Sequence, residues 1–220
     1  NPDLKSETSE NYEFGLKGDY SKLDFSLVSF ISKYDDLIDV ELTSTGTDCI
    51  ALIGRPCTVY KPSNVEEAEI WGIELNSEYN FNEDKTGFAL ISSLAYSYGD
   101  DTSGTEDKEL TSIEPFKAIL GLRYTDSENK WSTELTNTYV GDARTTDALD
   151  DNPSQSYSVL DLTSVFNVNE RLSVDVGIFN LNDTRYFNYS TVKAQSKSSA
   201  DVNRFSEPGR NIKAGFKFIF

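Results

Sequence analysis

The 220 residues carry 20 Lys and Arg against 37 Asp and Glu and no His, a formal net charge of −17. That balance argues against a nucleic-acid partner, because phosphate recognition needs a basic surface. No apolar run approaches the ~20 residues of a membrane helix, and the start, NPDLKSETS, shows no signal peptide and reads as a cut within a longer protein. The length suits one large all-β domain or two small ones. Low average hydropathy does not exclude a membrane, since a barrel strand is apolar only on alternate residues.

In chain order, the alternation of period two begins in ENYEFGLKGDY, with Tyr12, Phe14, Leu16 and Tyr20 on one face and Asn11, Glu13 and Lys17 on the other. KLDFSLVSFISKYDDLI alternates through Leu23, Phe25 and Leu27, then loses phase near Val28 to Ile31. AEIWGIELNSEYNF is cleaner: Trp71, Ile73, Leu75, Tyr79 and Phe81 oppose Glu74, Asn76, Glu78 and Asn80. GFALISSLAYSYG groups Phe88, Leu90, Leu94, Tyr96 and Tyr98, and FKAILGLRY groups Phe116, Ala118, Leu120, Leu122 and Tyr124. WSTELTNTYV adds Trp131, Leu135 and Tyr139; SVLDLTSVFNV and LSVDVGIF follow as another pair. The last strand places Ile212, Ala214, Phe216, Phe218 and Phe220 together, and something outside it must cover that face. The count is about nine strands of ~9–13 residues, the range of tilted membrane strands rather than the ~5–6 of a sandwich.

The connections alternate in length. DYSK, NEDKT, DSENK and NVNER are tight and polar, whereas residues 43–66, 99–115, 141–156 and 186–209 form long loops. Short turns at one end and long loops at the other describe an outer-membrane β-barrel, with the C-terminus on the periplasmic, short-turn side. Aromatics near the strand ends fit two interfacial girdles. Nine strands leave two open edges, which lipid does not tolerate, so the expectation is an antiparallel transmembrane portion of a larger barrel.

Chemistry-bearing residues are sparse. Without His, no Ser or Cys triad of the usual kind exists, and the adjacent pairs Asp35/Asp36 and Asp150/Asp151 point apart or into solvent, so the chain reads as no enzyme. The acidic loops GDDTSGTEDKE and DARTTDALDDNP lack EF-hand spacing and read as solvated rather than as calcium sites. Cys49 and Cys57 do not form a CxxC motif; a loop disulfide in an oxidising compartment is the reading taken, with two free thiols as the alternative.

NPDLKSETSENYEFGLKG, AEIWGIELNSEYNF, YSVLDLTSVFNVNERLSVDVGIFNLNDTRYFNY and FSEPGRNIKAGFKFIF resemble the C-terminal part of TonB-dependent outer-membrane receptors, across essentially all 220 residues. NLNDTRY, Asn180 to Tyr186, is similar to the family's NLxDxxY segment. The terminal Phe216, Phe218 and Phe220 resemble the signal read by the barrel assembly machinery. Three features resemble the haem and haemoglobin branch: the NPDL box (Asn1, Pro2, Asp3, Leu4), with Asp3 where NPNL has its second Asn; the paired cysteines followed by YKPSNVEEAEIWGIEL; and EPGRN before the last strand. Starts like NPDLKPE also occur in related siderophore receptors.

The resemblance implies the last nine strands of a 22-stranded barrel. It also implies that the plug, and the TonB box that engages the TonB–ExbB–ExbD complex, lie in a missing N-terminal part. Outward faces would meet outer-membrane lipid and lipopolysaccharide, inward residues such as Glu74, Asn76 and Glu78 would line the lumen, and the long loops would form the ligand vestibule. Haem or a haem protein is the implied ligand of the parent protein, and the haem-ligating His of that branch lies upstream of the NPNL box. The segment itself is therefore expected to hold no cofactor and no metal. Two other readings stand beside this one: a siderophore receptor of the same superfamily, and a secreted acidic β-sandwich used for binding or adhesion.

Overall fold

A computed structural model describes residues 2–46, 57–104, 108–110, 112–144, 154–193, 195 and 200–220. They form one antiparallel sheet in which sequence neighbours are spatial neighbours: β1 (Thr8–Asp19), β2 (Leu23–Gly46), β3 (Cys57–Asn80), β4 (Gly87–Asp101), β6 (Lys117–Thr125), β7 (Trp131–Val140), β8 (Tyr157–Asn169), β9 (Leu172–Phe179) and β10 (Asn211–Phe218). β5 (Lys108–Glu109) is a two-residue spur on β4. The nine long strands match the alternation in number and order. Four tight turns close one end, and every long connection lies at the other.

Pairing reaches further than the sequence pattern foretells. β2 and β3 each run for 24 residues and stay in register up to Gly46 opposite Cys57, well into the 43–66 segment. A bulge between Leu42 and Ser44 shifts the register once. The lost phase at Val28 to Ile31 has a local cause. Phe30 lies on the polar face opposite Gly72, where an added Cβ would stand 2.5 Å from the Phe30 ring, so the glycine makes room for the aromatic.

Asp36, further along β2, adopts φ 55°, a left-handed conformation that a short polar side chain tolerates. The chain's first segment fastens there. Lys5 Nζ pairs with the Asp36 carboxylate at 3.0 Å, the Lys5 N–H donates to Asn64 Oδ1 at 2.8 Å, and the Ile38 N–H donates to Glu7 Oε2 at 3.2 Å.

A conventional core is nearly absent. Leu37, Ala68 and Leu110 form a small buried cluster with Tyr34, Ile70 and Ile113, where Leu110 and Ile113 pack at the long-loop end of the sheet. Most large apolar side chains are exposed, among them Leu120 at 60%, Ile212 at 72% and Phe216 at 79%. A sheet this apolar on one side needs a cover beyond its own chain.

Candidate functional site

The register sorts the side chains into two continuous faces. Across one face run Phe14, Leu16, Leu27, Ile31, Trp71, Ile73, Leu75, Leu94, Leu120, Leu122, Leu135, Leu162, Val174 and Ile178, ending on Ile212, Ala214, Phe216 and Phe218 of β10. Phe216 stands opposite Val174 and Phe218 opposite Leu172, and the Phe218 and Phe220 rings meet edge-on at 5.1 Å. The terminal aromatics thus continue a face that spans the whole sheet.

Aromatic belts mark the limits of that face. Trp71 packs with Tyr96 and Tyr98 near the long loops, at centroid distances of 5.6 and 6.0 Å. Phe88, Tyr124 and Trp131 form a chain near the short turns, at 5.1 and 5.3 Å. Phe88 and Tyr98 lie ten residues apart along β4 (98 − 88). At ~3.4 Å per residue and a tilt of ~45°, that spacing spans ~24 Å, the height of the apolar band of a membrane barrel. Arg144 caps the upper belt: its guanidinium lies 4.0 Å over the Tyr98 ring and donates to Tyr96 Oη at 2.7 Å.

Six polar side chains on this face bond to one another in three pairs. Ser77 and Ser92 share a 2.8 Å hydroxyl bond, Thr133 and Ser164 another of 2.8 Å, and Asn137 donates to Ser158 Oγ at 2.7 Å. Such pairing is what an apolar solvent requires of a hydroxyl.

The opposite face is charged. Arg123 stands between two carboxylates, hydrogen-bonded to Glu78 and 4.0 Å from Glu134, and Thr136 donates to Glu134 Oε1 at 2.9 Å. Ser93 donates to Asn76 Oδ1 at 2.8 Å, and Glu74 stands in the same row as Ala95. Glu74, Asn76 and Glu78 therefore sit where the sequence puts them, opposite Trp71, Ile73 and Leu75. The Arg123 network was not legible beforehand, because its partners come from strands 45 residues apart.

At the long-loop end, NLNDTRY ties three strands together. Asn180 is 2% exposed; its amide donates to the Thr184 and Pro208 carbonyls at 2.8 and 3.1 Å, while its Oδ1 accepts the Thr184 N–H at 2.8 Å. Asp161 of β8 accepts the Asn180 N–H at 2.7 Å. Asn182 reaches back to β8, accepting from Leu160 N–H at 3.0 Å and donating to the Ser158 carbonyl at 2.8 Å. Asp183 accepts the Arg210 N–H at 2.8 Å and fixes the approach to β10. The motif is a clasp, and its Asn182 amide is taken up by the Ser158 carbonyl and the Thr184 hydroxyl.

Beyond the clasp, the Tyr186 ring packs on Tyr157 at 4.3 Å with the planes tilted by 33°, and Tyr157 Oη donates to Asn188 Oδ1 at 3.1 Å. Asn188 in turn donates to Glu207 at 2.6 Å. A cleft of about 420 Å³ opens here, lined by Gln155, Tyr157, Arg185, Tyr186, Phe187 and Asn203. A short helix, Tyr189–Val192, follows and buries both of its end residues. Burial, helped by Glu114 and Asp39, pushes the Tyr189 phenol up to about 12; burial and Glu207 raise Tyr186 as well.

The remaining sequence candidates fare unevenly. Asn1 and Cys49 lie outside the described residues, as do Asp150 and Asp151, so the loop-disulfide reading rests on the sequence. Cys57 opens β3. Pro2 and Asp3 are exposed, and Leu4 is half-buried. In the first acidic loop, Asp101 accepts the Ser103 N–H at 2.9 Å; in the second, Asp142 accepts the Ser156 N–H at 2.7 Å. Among the described residues no cluster of three acids has metal-holding geometry.

Comparison with known proteins converges on the same architecture. The model of the family described as "TonB dependent receptor-like, beta-barrel" matches residues 1–181. Hemoglobin-haptoglobin utilization protein B of Neisseria meningitidis serogroup A is 24% identical over 249 residues, covering 96% of this chain and 30% of that protein. Vitamin B12 transporter BtuB of Photobacterium profundum is 31% identical over 202 residues, covering 90% of this chain and 30% of its own length. Among solved structures, the copper transporter OprC superposes with a TM-score of 0.77 at 23% identity, covering 100% of this chain and 32% of that one. The chain spans about a third of the length of these proteins.

Proposed function

The chain belongs to the TonB dependent receptor-like β-barrel family, and from that premise we propose that it is the C-terminal wall and vestibule of an outer-membrane receptor for haem or a haem protein. The apolar face meets outer-membrane lipid and lipopolysaccharide, with the two aromatic belts at its interfaces. The charged face lines the lumen. The long loops stand outside the cell and the C-terminus lies in the periplasm, where the terminal aromatics serve as the assembly signal. Energy enters through the TonB–ExbB–ExbD complex, acting on other parts of the receptor.

The observation that carries the haem reading is the likeness to Hemoglobin-haptoglobin utilization protein B over 96% of the chain, joined to the NPDL box and the paired cysteines. Cys49 and Cys57 are proposed to be bonded, closing the tip of the hairpin that β2 and β3 form. Mass spectrometry with and without reductant tests the bond, and two alkylatable thiols in the native protein would refute it.

The receptor's substrate is tested by growth. Cells lacking other iron uptake and expressing the full-length receptor should grow on haemoglobin as the iron source, and only with TonB present. Growth on a ferric siderophore but not on haemoglobin would replace this reading with the siderophore receptor. The 31% identity to a vitamin B12 transporter favours one further substrate class, and corrinoid uptake by the same cells would support it.

Transport needs no catalytic residue, and the wall contributes none. Axial ligation of haem iron uses His, Met, Cys or Tyr; this chain holds no His and no Met, but 12 Tyr and 2 Cys. The resemblance to the haem branch, whose ligating His lies upstream of the NPNL box, is what assigns iron ligation outside this segment and leaves the segment to contact the rest of the ligand.

A further inference from the structure

Arg185 differs from Arg144 and Arg204, which lie at the same long-loop end. Arg144 and Arg204 each face a carboxylate, Glu109 at 3.9 Å and Asp201 at 3.4 Å. Arg185 has no carboxylate partner among the described residues, although the chain carries 37 acids against 20 bases; its guanidinium meets the neutral amide of Asn203. It lies 5.6 Å from the Phe187 ring centroid, and both line the 420 Å³ cleft. Another wall of that cleft is the tilted aromatic pair Tyr157 and Tyr186. Tyr157 alternates with the outward residues of β8, sharing its face with Asp161 and Thr163, so the cleft opens on the lumen side of the wall.

The volume falls within the usual range for small-molecule sites, ~300–1,000 Å³. Flat aromatic walls favour a flat conjugated ligand by stacking. A guanidinium with no carboxylate partner among the described residues, held by a neutral amide, presents its remaining donors in the fork that matches a carboxylate. We propose that this cleft is a subsite for the carboxylate-bearing edge of a planar conjugated ligand, with Arg185 pairing the carboxylate and Tyr157, Tyr186 and Phe187 contacting the ring system. The subsite rests on the haem reading, since a porphyrin with acidic side chains is such a ligand. It assigns the acid group to this segment and leaves the iron to be held elsewhere.

The clasp gives the subsite its rigidity. Thr184 is fixed by Asn180 and by the Ser158 carbonyl, at 2.8 and 3.1 Å, and Glu207 N–H donates to the Tyr186 carbonyl at 3.0 Å. Arg185 therefore projects from a backbone held on both sides, which limits the entropy lost on binding.

The test titrates the purified full-length receptor with metal-free protoporphyrin IX and with its dimethyl ester, followed by porphyrin fluorescence. Metal-free porphyrin removes axial ligation from the comparison. Wild type should bind the diacid about tenfold more tightly than the diester, and Arg185→Gln should abolish that preference by weakening the diacid about tenfold. Arg185→Lys should retain part of it. Asn203→Asp supplies Arg185 with an internal carboxylate and should weaken the diacid with the arginine still present, which separates charge recognition from any loss of assembly in the Arg185 variants. Wild type that binds haem but neither metal-free porphyrin overturns the subsite, whereas wild type that binds neither haem nor haemoglobin contradicts the haem reading itself. Wild type that binds both forms equally, or binds the diacid as tightly when Arg185 is Gln, overturns the subsite and leaves the haem reading standing.

Discussion

The two faces of this sheet both carry polar side chains, and they satisfy them in different ways. On the apolar face hydroxyls are closed off in pairs, Ser77 with Ser92 and Thr133 with Ser164. On the charged face Arg123 is shared between Glu78 and Glu134, while Glu74 is exposed to whatever fills the lumen. The same two-residue alternation therefore solves two solvents: hydrocarbon requires polar groups to be self-satisfied, and an aqueous or protein-filled lumen rewards groups left available.

Charge placed on either face separates them most strongly. Ile73→Arg, in the middle of the apolar face, should cost about 2–4 kcal/mol of barrel stability, and Asn76→Arg much less. Reversible denaturant unfolding of the full-length barrel in lipid measures both, and equal costs would erase the distinction between the faces. Truncation on the charged side comes next. Arg123→Ala strands two carboxylates and should cost about 1.5–3 kcal/mol by the same measurement. Replacing Glu78 and Glu134 by Gln in that background should recover much of the loss, and no recovery would mean the network is incidental.

A hydroxyl pair on the lipid side gives a smaller but sharper contrast. Ser77→Ala leaves the Ser92 hydroxyl without a partner in an apolar surrounding and should cost about 1–2 kcal/mol. The double change Ser77→Ala with Ser92→Ala should return to within about 0.5 kcal/mol of wild type, because no orphaned polar group is left. Additive losses in the double variant would place this row in water.

Much of the wall was legible because period two is a local property. Trp71, Ile73 and Leu75 declare their face within five residues. Phe30 was not legible, since its place on the charged side depends on Gly72 in the facing strand. Nor was the twist at Asp36, whose positive φ leaves no mark in the alternation. NLNDTRY was legible as a family likeness and opaque as a mechanism: Asn180 bonds Thr184 and Pro208, and Pro208 is brought near only by the return of the last loop. Arg185 carries no sequence signal at all. Its place in the cleft, beside the Asn203 amide and the Phe187 ring, is defined only by the folded arrangement of its neighbours.

The gentlest perturbation lies above the charged face, at Tyr189. Its phenol is held up to about 12 by burial first and then by Glu114 and Asp39, against an ordinary value near ~10. Folding therefore favours the protonated form. The corresponding stability is complete below about pH 10 and drains away as pH rises from ~10 towards ~12, where the unfolded chain releases a proton that the folded chain keeps. Ultraviolet titration of tyrosinate should show one group fewer withheld above pH 11 in Tyr189→Phe than in wild type. A normal titration at Tyr189 would mean that the helix it anchors does not pack over the loop end.

The account's central claim is that one face of β3 meets lipid while the other meets the lumen. Nitroxide labels placed singly at positions 71 to 76 of the full-length receptor in bilayers test it, using collision with oxygen, which concentrates in hydrocarbon, and with a water-soluble nickel chelate. Oxygen accessibility should peak at 71, 73 and 75 and fall at 74 and 76, with nickel accessibility absent from the oxygen-rich positions. A profile without two-residue alternation, or nickel reaching 71, 73 and 75 freely, would contradict a membrane wall.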